Sequence, residues 1–167
     1  MLLIAGTAFH APDALTQDGP PDAAQIADRF AISEVIAQYA YRWDAKDAEG
    51  FARLFTEDAV FEVSANGKLV PQGRLEGRPA ILAYAKNAYA GRLAGKQSRH
   101  HMTSLVFLAL STERATTENL VLVTHQSKDD ATPQNRVSGV YRNQWRKTAD
   151  GWQIARRLLT LDGRRGQ

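Results

Sequence analysis

Four side chains in this chain have both the chemistry and the setting for proton transfer: Asp44, His101 (which follows a second histidine, His100), His125, and Tyr39. Asp44 closes the stretch Tyr39–Asp44 (YAYRWD), which holds three aromatic rings and a carboxylate. On a helix, Asp44 sits above Ala40 and Ala37 and near Ile36. It therefore continues an apolar stripe and not the polar face of Glu34, Gln38 and Arg42. A carboxylate on the apolar side must be capped by donors, such as the N–H groups of the next turn, or be held for use.

The histidines give that carboxylate a use. His125 shares a strand face with Val123, Val121 and Asn119, an apolar setting that aims it into the interior. Neighbouring residues of a strand point to opposite faces, so one of His100 and His101 points inward whatever the register. A carboxylate beside an imidazole orients the ring and stabilises its protonated form, which makes a better general base. Tyr39, Tyr41 and Trp43 are placed to line the same cavity or to pack the core. A tyrosine hydroxyl there can donate to a carbonyl oxygen that gains charge as a neighbouring carbon loses its proton.

Other chemistries find less support. The adjacent histidines diverge, and no helical His-x-x-x-His or Glu-x-x-His pattern exists, so no metal site is expected. Ser33, Ser104 and Ser138 lack the glycine context of a nucleophile elbow. Glu62 and Glu76 lie on strands without an evident carboxylate partner. Arg142, Gln144 and Arg146 alternate along one strand and read as a solvated or subunit-facing row, with Arg142 a candidate to reach the pocket. Gly151-Trp152 reads as a turn followed by an aromatic plug.

The elements that position these groups follow from periodicity. After a Pro- and Gly-broken linker at 11–23, a helix runs from near Asp22 to Trp43 or Asp44, with Ile26, Phe30, Ser33, Ile36, Ala37, Ala40 and Trp43 as its stripe. Asp47 suits the N-cap of a second, short helix burying Phe51, Leu54 and Phe55. Residues 59–63 read as a strand. Asn66-Gly67 is a hairpin turn signal, with strand-like pieces at 68–70 and 73–76 beyond it. Gly77-Arg78-Pro79 opens a third helix to about Leu93. Residues 99–110, 115–128, 136–147 and 152–161 then read as four long strands. Helices first and a meander last make an α+β order with no parallel nucleotide-binding sheet and no phosphate loop.

Composition sets further bounds. At 167 residues, with 44% hydrophobic and 23% charged residues, one domain with a real core is expected. There is no cysteine, which removes disulfides and thiolate chemistry. The net charge of +3 is thinly spread apart from Arg156-Arg157 and Arg164-Arg165, so no nucleic-acid partner is expected. No run is long enough to span a membrane. Residues 2–9 (LLIAGTAF) lack the basic flank and cleavage site of a signal peptide, and read as an arm on the domain or on a neighbouring subunit. A cytoplasmic protein is expected, with an exported form the alternative.

Taken together, the segments YAYRWDAKDAEGFARLFTEDAVFEV, RHHMTS and VYRNQWRKTADGWQIARR resemble the SnoaL-like branch of the NTF2-like superfamily. The resemblance implies a cone-shaped α+β barrel, a curved antiparallel sheet with three helices around a pocket, in homodimers or homotrimers. It divides the chain into an arm and linker at 1–23, a domain at 24–162 and a tail at 163–167. Within the superfamily the polar positions resemble the scytalone and bile-acid 7α-dehydratases. By that resemblance Asp44 is the helix-end Asp, His101 the sheet His that pairs with it, His125 a second catalytic His, and Tyr39 a catalytic Tyr. Trp43 stands where the scytalone type has a Tyr, and Val140 and Arg142 stand where it has Ser and Asn, so substrate identity does not carry over.

The expectation is a small-molecule lyase, a dehydratase with no cofactor and no metal, acting on a small hydrophobic, aromatic or polycyclic substrate. Asp44, His101, His125 and Tyr39 would be catalytic, and Tyr41, Trp43, Phe61, Asn119 and Arg142 would bind substrate. An isomerase or polyketide-type cyclase with the same base is the first alternative. A non-catalytic ligand-binding or assembly module, like a dioxygenase small subunit, is the second.

Overall fold

The computed structural model describes residues 20–163. The expected N-terminal arm, the apolar stretch 2–9, most of the linker and the end of the tail lie outside the described residues. Helix α1 (Ala23–Asp44) begins at Asp22, whose side chain accepts from the Gln25 N–H while Gln25 returns a bond to the Asp22 N–H. This reciprocal pair satisfies two donors that a helix start leaves open. Helix α2 (Ala48–Arg53) is capped by Asp47, as its spacing suggested. Helix α3 (Arg78–Ala90) starts with Pro79 in its first turn.

The strands are β1 (Phe55–Ala65), β2 (Lys68–Leu69), β3 (Leu75–Glu76), β4 (Lys96–Leu110), β5 (Arg114–Ser127), β6 (Gln134–Thr148) and β7 (Gly151–Leu161). Asn66 and Gly67 both have positive φ, 52° and 73°, the conformation a tight two-residue hairpin requires. They join β1 to β2.

The expected barrel does not form. The sheet is open and not strongly curled, in the order β2-β1-β7-β6-β5-β4, with β3 also on β1. No ladder joins β4 to the far edge, so the closure that would remove both edges is missing. Nor is the sheet wholly antiparallel: β1 pairs with β7 in parallel, because the chain returns to β1 only after the β4–β7 meander.

The helices cover one face of the sheet. Asn119, Val121, Val123, Tyr141, Asn143 and Trp145 are buried there, while Leu120 and Leu122 on the other face are exposed. The stripe on α1 is rotated from expectation. Ile32, Ile36, Tyr39 and Trp43 are buried, whereas Ile26 and Phe30 are 55% and 73% exposed. Alternation along β4 also breaks. Ser104 has φ 54°, and the register slips between Thr103 and Val106. This bulge returns Leu105 and Phe107 to the helix side, against the core.

Gly139 on β6 leaves no room for a side chain against β7. A Cβ there would lie 2.3 Å from the Thr160 carbonyl oxygen. Gly139→Ala is expected to destabilise the fold by about 1–3 kcal/mol through forced backbone separation. Chemical denaturation, comparing midpoints at unchanged slope, measures it.

Candidate active site

The Asp44 carboxylate lies at the end of α1 against β4, the edge strand. Its Oδ2 accepts the His100 backbone N–H at 2.8 Å, and its Oδ1 accepts the Ser98 hydroxyl at 2.8 Å. The same Oδ1 lies 2.8 Å from Nδ1 of His100. Gln97 donates to the Asp44 backbone carbonyl at 2.9 Å. The two side chains of the pair are nearly enclosed, with 10% of Asp44 and 7% of His100 exposed.

Burial alone would raise the Asp44 carboxyl. The His100 ring, its backbone N–H and the Ser98 hydroxyl together outweigh burial and hold it below the usual carboxylate value. An ionised carboxylate can only accept, so the Nδ1 facing it carries hydrogen and the lone pair of neutral His100 sits on Nε2. Nε2 has no partner among the described residues.

His100 stands between two spaces. On the Asp44 side is a groove of about 790 Å³ between α1 and β4, with Ile36, Ala40, Tyr41, Met102 and Asn119 among its walls. On the other side is an inner cavity of about 100 Å³, walled by Tyr39, Trp43, Phe61, Tyr84 and Tyr141 together with Arg92 and His125. The aromatic walls interlock. The His100 ring meets Tyr39 and Trp43 edge-on at 6.0 and 6.1 Å between centroids. Arg92 donates to the Tyr84 hydroxyl at 2.7 Å. The Tyr39 and Tyr141 hydroxyls are 3.4 Å apart. Burial, then the charges of Arg92 and other cationic neighbours, lower His125 from its usual value, so its ring is neutral at neutral pH.

The expected residues therefore divide. Asp44 meets an imidazole, but that of His100. His101 is exposed on the outer face, in a shallow depression with Leu120, Ser138 and Asp162. The expected Asp44–His101 contact is replaced for a simple reason: His100 shares the inward face with Ser98 and Met102, and His101 takes the other. Tyr39, Trp43, Phe61 and His125 wall the inner cavity. Tyr41 and Asn119 border the groove instead. Arg142 lines neither space; it lies opposite the buried Tyr141 and Asn143 and pairs with Glu118 at 3.4 Å.

Sequence reasoning missed Ser98, Tyr84, Arg92 and Tyr141. Tyr141 was readable, since it alternates with the Arg142–Gln144–Arg146 row and must face the other way. Among the described residues, no three His, Asp or Glu side chains are grouped to hold a metal ion.

A helix-covered α+β sheet with a buried carboxylate–imidazole pair beside an aromatic cavity is consistent with an enzyme-like, small-molecule-binding fold. The chain belongs to the SnoaL-like domain family, whose model matches residues 24–158. Rv3472 of Mycobacterium tuberculosis, a protein of unknown function, is 30% identical, with 83% of this chain and 73% of that one covered and a TM-score of 0.69. A candidate scytalone dehydratase from Novosphingobium aromaticivorans is 23% identical, with coverage of 83% and 87% and a TM-score of 0.69. The β subunit of a candidate aromatic-ring-hydroxylating dioxygenase from the same organism is 21% identical, with coverage of 87% and 95% and a TM-score of 0.70. The last two share the fold. No curated protein matches the chain.

The lowered Asp44 carboxyl links the site to stability. A group depressed on folding contributes stability that is present above its unfolded value, near 3.8, and lost as pH falls through the folded one. Asp44→Asn is expected to lower stability most at neutral pH, with the difference from wild type shrinking as pH falls below about 4. Urea titrations across that range test this. The lowered His125 acts over another window. Stability falls as pH drops through 6.5, where the unfolded ring takes a proton that the folded one refuses. An NMR titration should place the His125 midpoint below that of a free histidine.

Proposed function

We propose that this protein is a small-molecule lyase, a dehydratase needing no cofactor, in which His100 is the general base. The observation that carries this reading is the Asp44–His100 pair, with Nε2 of the ring left without a protein partner where groove and cavity meet. Asp44 fixes the tautomer and stabilises the charge the ring acquires on taking a proton.

Nε2 of His100 removes a proton from carbon next to an activating carbonyl. The C–H electron pair forms the new double bond, and the C–O bond on the adjacent carbon breaks. The departing hydroxide takes the proton held by His100 and leaves as water. Tyr39 and the neutral ring of His125 donate hydrogen bonds to the carbonyl or the leaving oxygen. The aromatic walls suit a small hydrophobic or aromatic substrate. The likeness to a candidate scytalone dehydratase accords with this reading at the level of fold.

The same base can serve an isomerase or a cyclase, and the product separates them. Incubation with β-hydroxy carbonyl compounds should give products lighter by one water, while unchanged mass assigns isomerisation or cyclisation. His100→Ala should lower turnover by roughly 10²–10⁴-fold, the usual contribution of a general base. His101→Ala should leave it near wild type. Full turnover in a folded His100→Ala or Asp44→Asn protein would remove the proposal. A non-catalytic assembly module instead predicts ligand binding without turnover in every variant.

A further inference from the structure

Arg157 is, among the described residues, the largest charged side chain with no exposed surface, and the chemistry above does not use it. Its guanidinium carbon lies 3.8 Å from the centre of the Tyr39 ring and 4.2 Å from that of Tyr141. Its Nε donates to Asn143 Oδ1 at 2.7 Å. Asn143 in turn donates to Thr117 and Asn119, and Trp145 donates to Thr117 at 2.9 Å. Both terminal nitrogens of Arg157 are buried without a hydrogen-bond partner.

A guanidinium is always charged, and burying one without a carboxylate is costly. Two π-faces and one amide oxygen are what offset that charge here. The tyrosines bearing those faces both line the inner cavity, and their hydroxyls meet 3.4 Å apart. A cation on a phenol ring draws electron density from it, which makes the hydroxyl a stronger donor. Among the described residues no carboxylate lines that cavity, while Arg92 does, and Asp44 is engaged by His100 and Ser98. The electrostatics of the space favour a negatively charged oxygen.

We propose that Arg157, packed over the rings of both Tyr39 and Tyr141, makes their hydroxyls an anion-binding pair, so that the inner cavity takes a planar ligand through an ionised phenol or enol oxygen. This rests on the inner cavity being the ligand site of the proposed reaction and names the class of compound it selects. Arg157 is a positioning residue: it acts through the two hydroxyls. Burial pushes the Tyr141 hydroxyl well above its usual value and Arg157 opposes that rise, so this phenol keeps the proton it must donate.

The test is equilibrium binding of 4-nitrophenol, whose ionisation is visible in its absorption, against nitrobenzene, which has no acidic oxygen. The wild-type protein should bind 4-nitrophenol as its anion, more tightly than nitrobenzene. Arg157→Met should reduce that preference by roughly tenfold or more, the worth of a hydrogen bond to a charged group. Arg157→Lys should restore part of it, with melting curves confirming that both variants fold.

A structural role alone would leave the ionisation state of the bound probe unchanged. Equal affinity for the two compounds, no binding of either, or an undiminished preference in folded Arg157→Met would overturn the proposal. Where Arg157→Met does not fold, Tyr39→Phe and Tyr141→Phe decide: retention of the preference in both overturns it. Binding is measured without turnover, so failure here leaves the His100 chemistry standing, and an inactive protein with an intact preference fails only that chemistry.

Discussion

Everything in the site depends on one carboxylate joining a helix end to a sheet edge. β4 has a ladder on one side only, so its other side presents unpaired backbone donors. Asp44 satisfies one of them, the N–H of His100, and binds the ring of the same residue. Two bonds to one residue, with Ser98 as a third support, fix that ring more firmly than a single contact would. The carboxylate also lies at the C-terminal end of α1, where the helix field disfavours an anion. Burial also acts against the anion, and these three donors outweigh burial and hold the carboxyl below its usual value.

A second buried polar system supports the opposite wall of the inner cavity. Trp145, Thr117, Asn143, Asn119 and Arg157 come from three adjacent strands and are joined by hydrogen bonds. Such a network is tolerable in a core only when nearly every member is satisfied. The donors of Arg157 that remain lie against aromatic rings. The cavity is thus flanked by an anion committed to an imidazole and by a cation committed to π-faces. Neither is neutralised by the other, which leaves a field across the space between them.

Much of this framework was legible in the sequence. Asp22 and Asp47 announce their helices by residue type and spacing, Asn66-Gly67 announces its turn, and the four long strands follow from β-branched and aromatic runs. These features are local, so local rules reach them. The parallel β1–β7 pairing and the open edge are long-range facts that no window of sequence contains. The face of each β4 side chain was beyond reach for a related reason. The bulge at Ser104 reverses alternation partway along, so Leu105 and Phe107 share the side of Met102 instead of that of Thr103. Arg156-Arg157 stands out in the sequence only as a basic pair, yet Arg156 pairs with Glu62 on one face while Arg157 is buried on the other.

The adjacent histidines show how far pattern alone can go. Alternation guarantees that one of them faces inward, and it cannot say which. The choice falls to Asp44, since its reach to the backbone N–H of position 100 leaves the ring of that residue the one able to close on the same carboxylate. A ring at 101 would have to cross the strand to do so, because its side chain leaves the opposite face. Which histidine meets the carboxylate therefore follows from where a helix ends against an unpaired strand edge. That junction, more than the count of histidines, turns an ambiguous carboxylate into half of a buried carboxylate–imidazole pair.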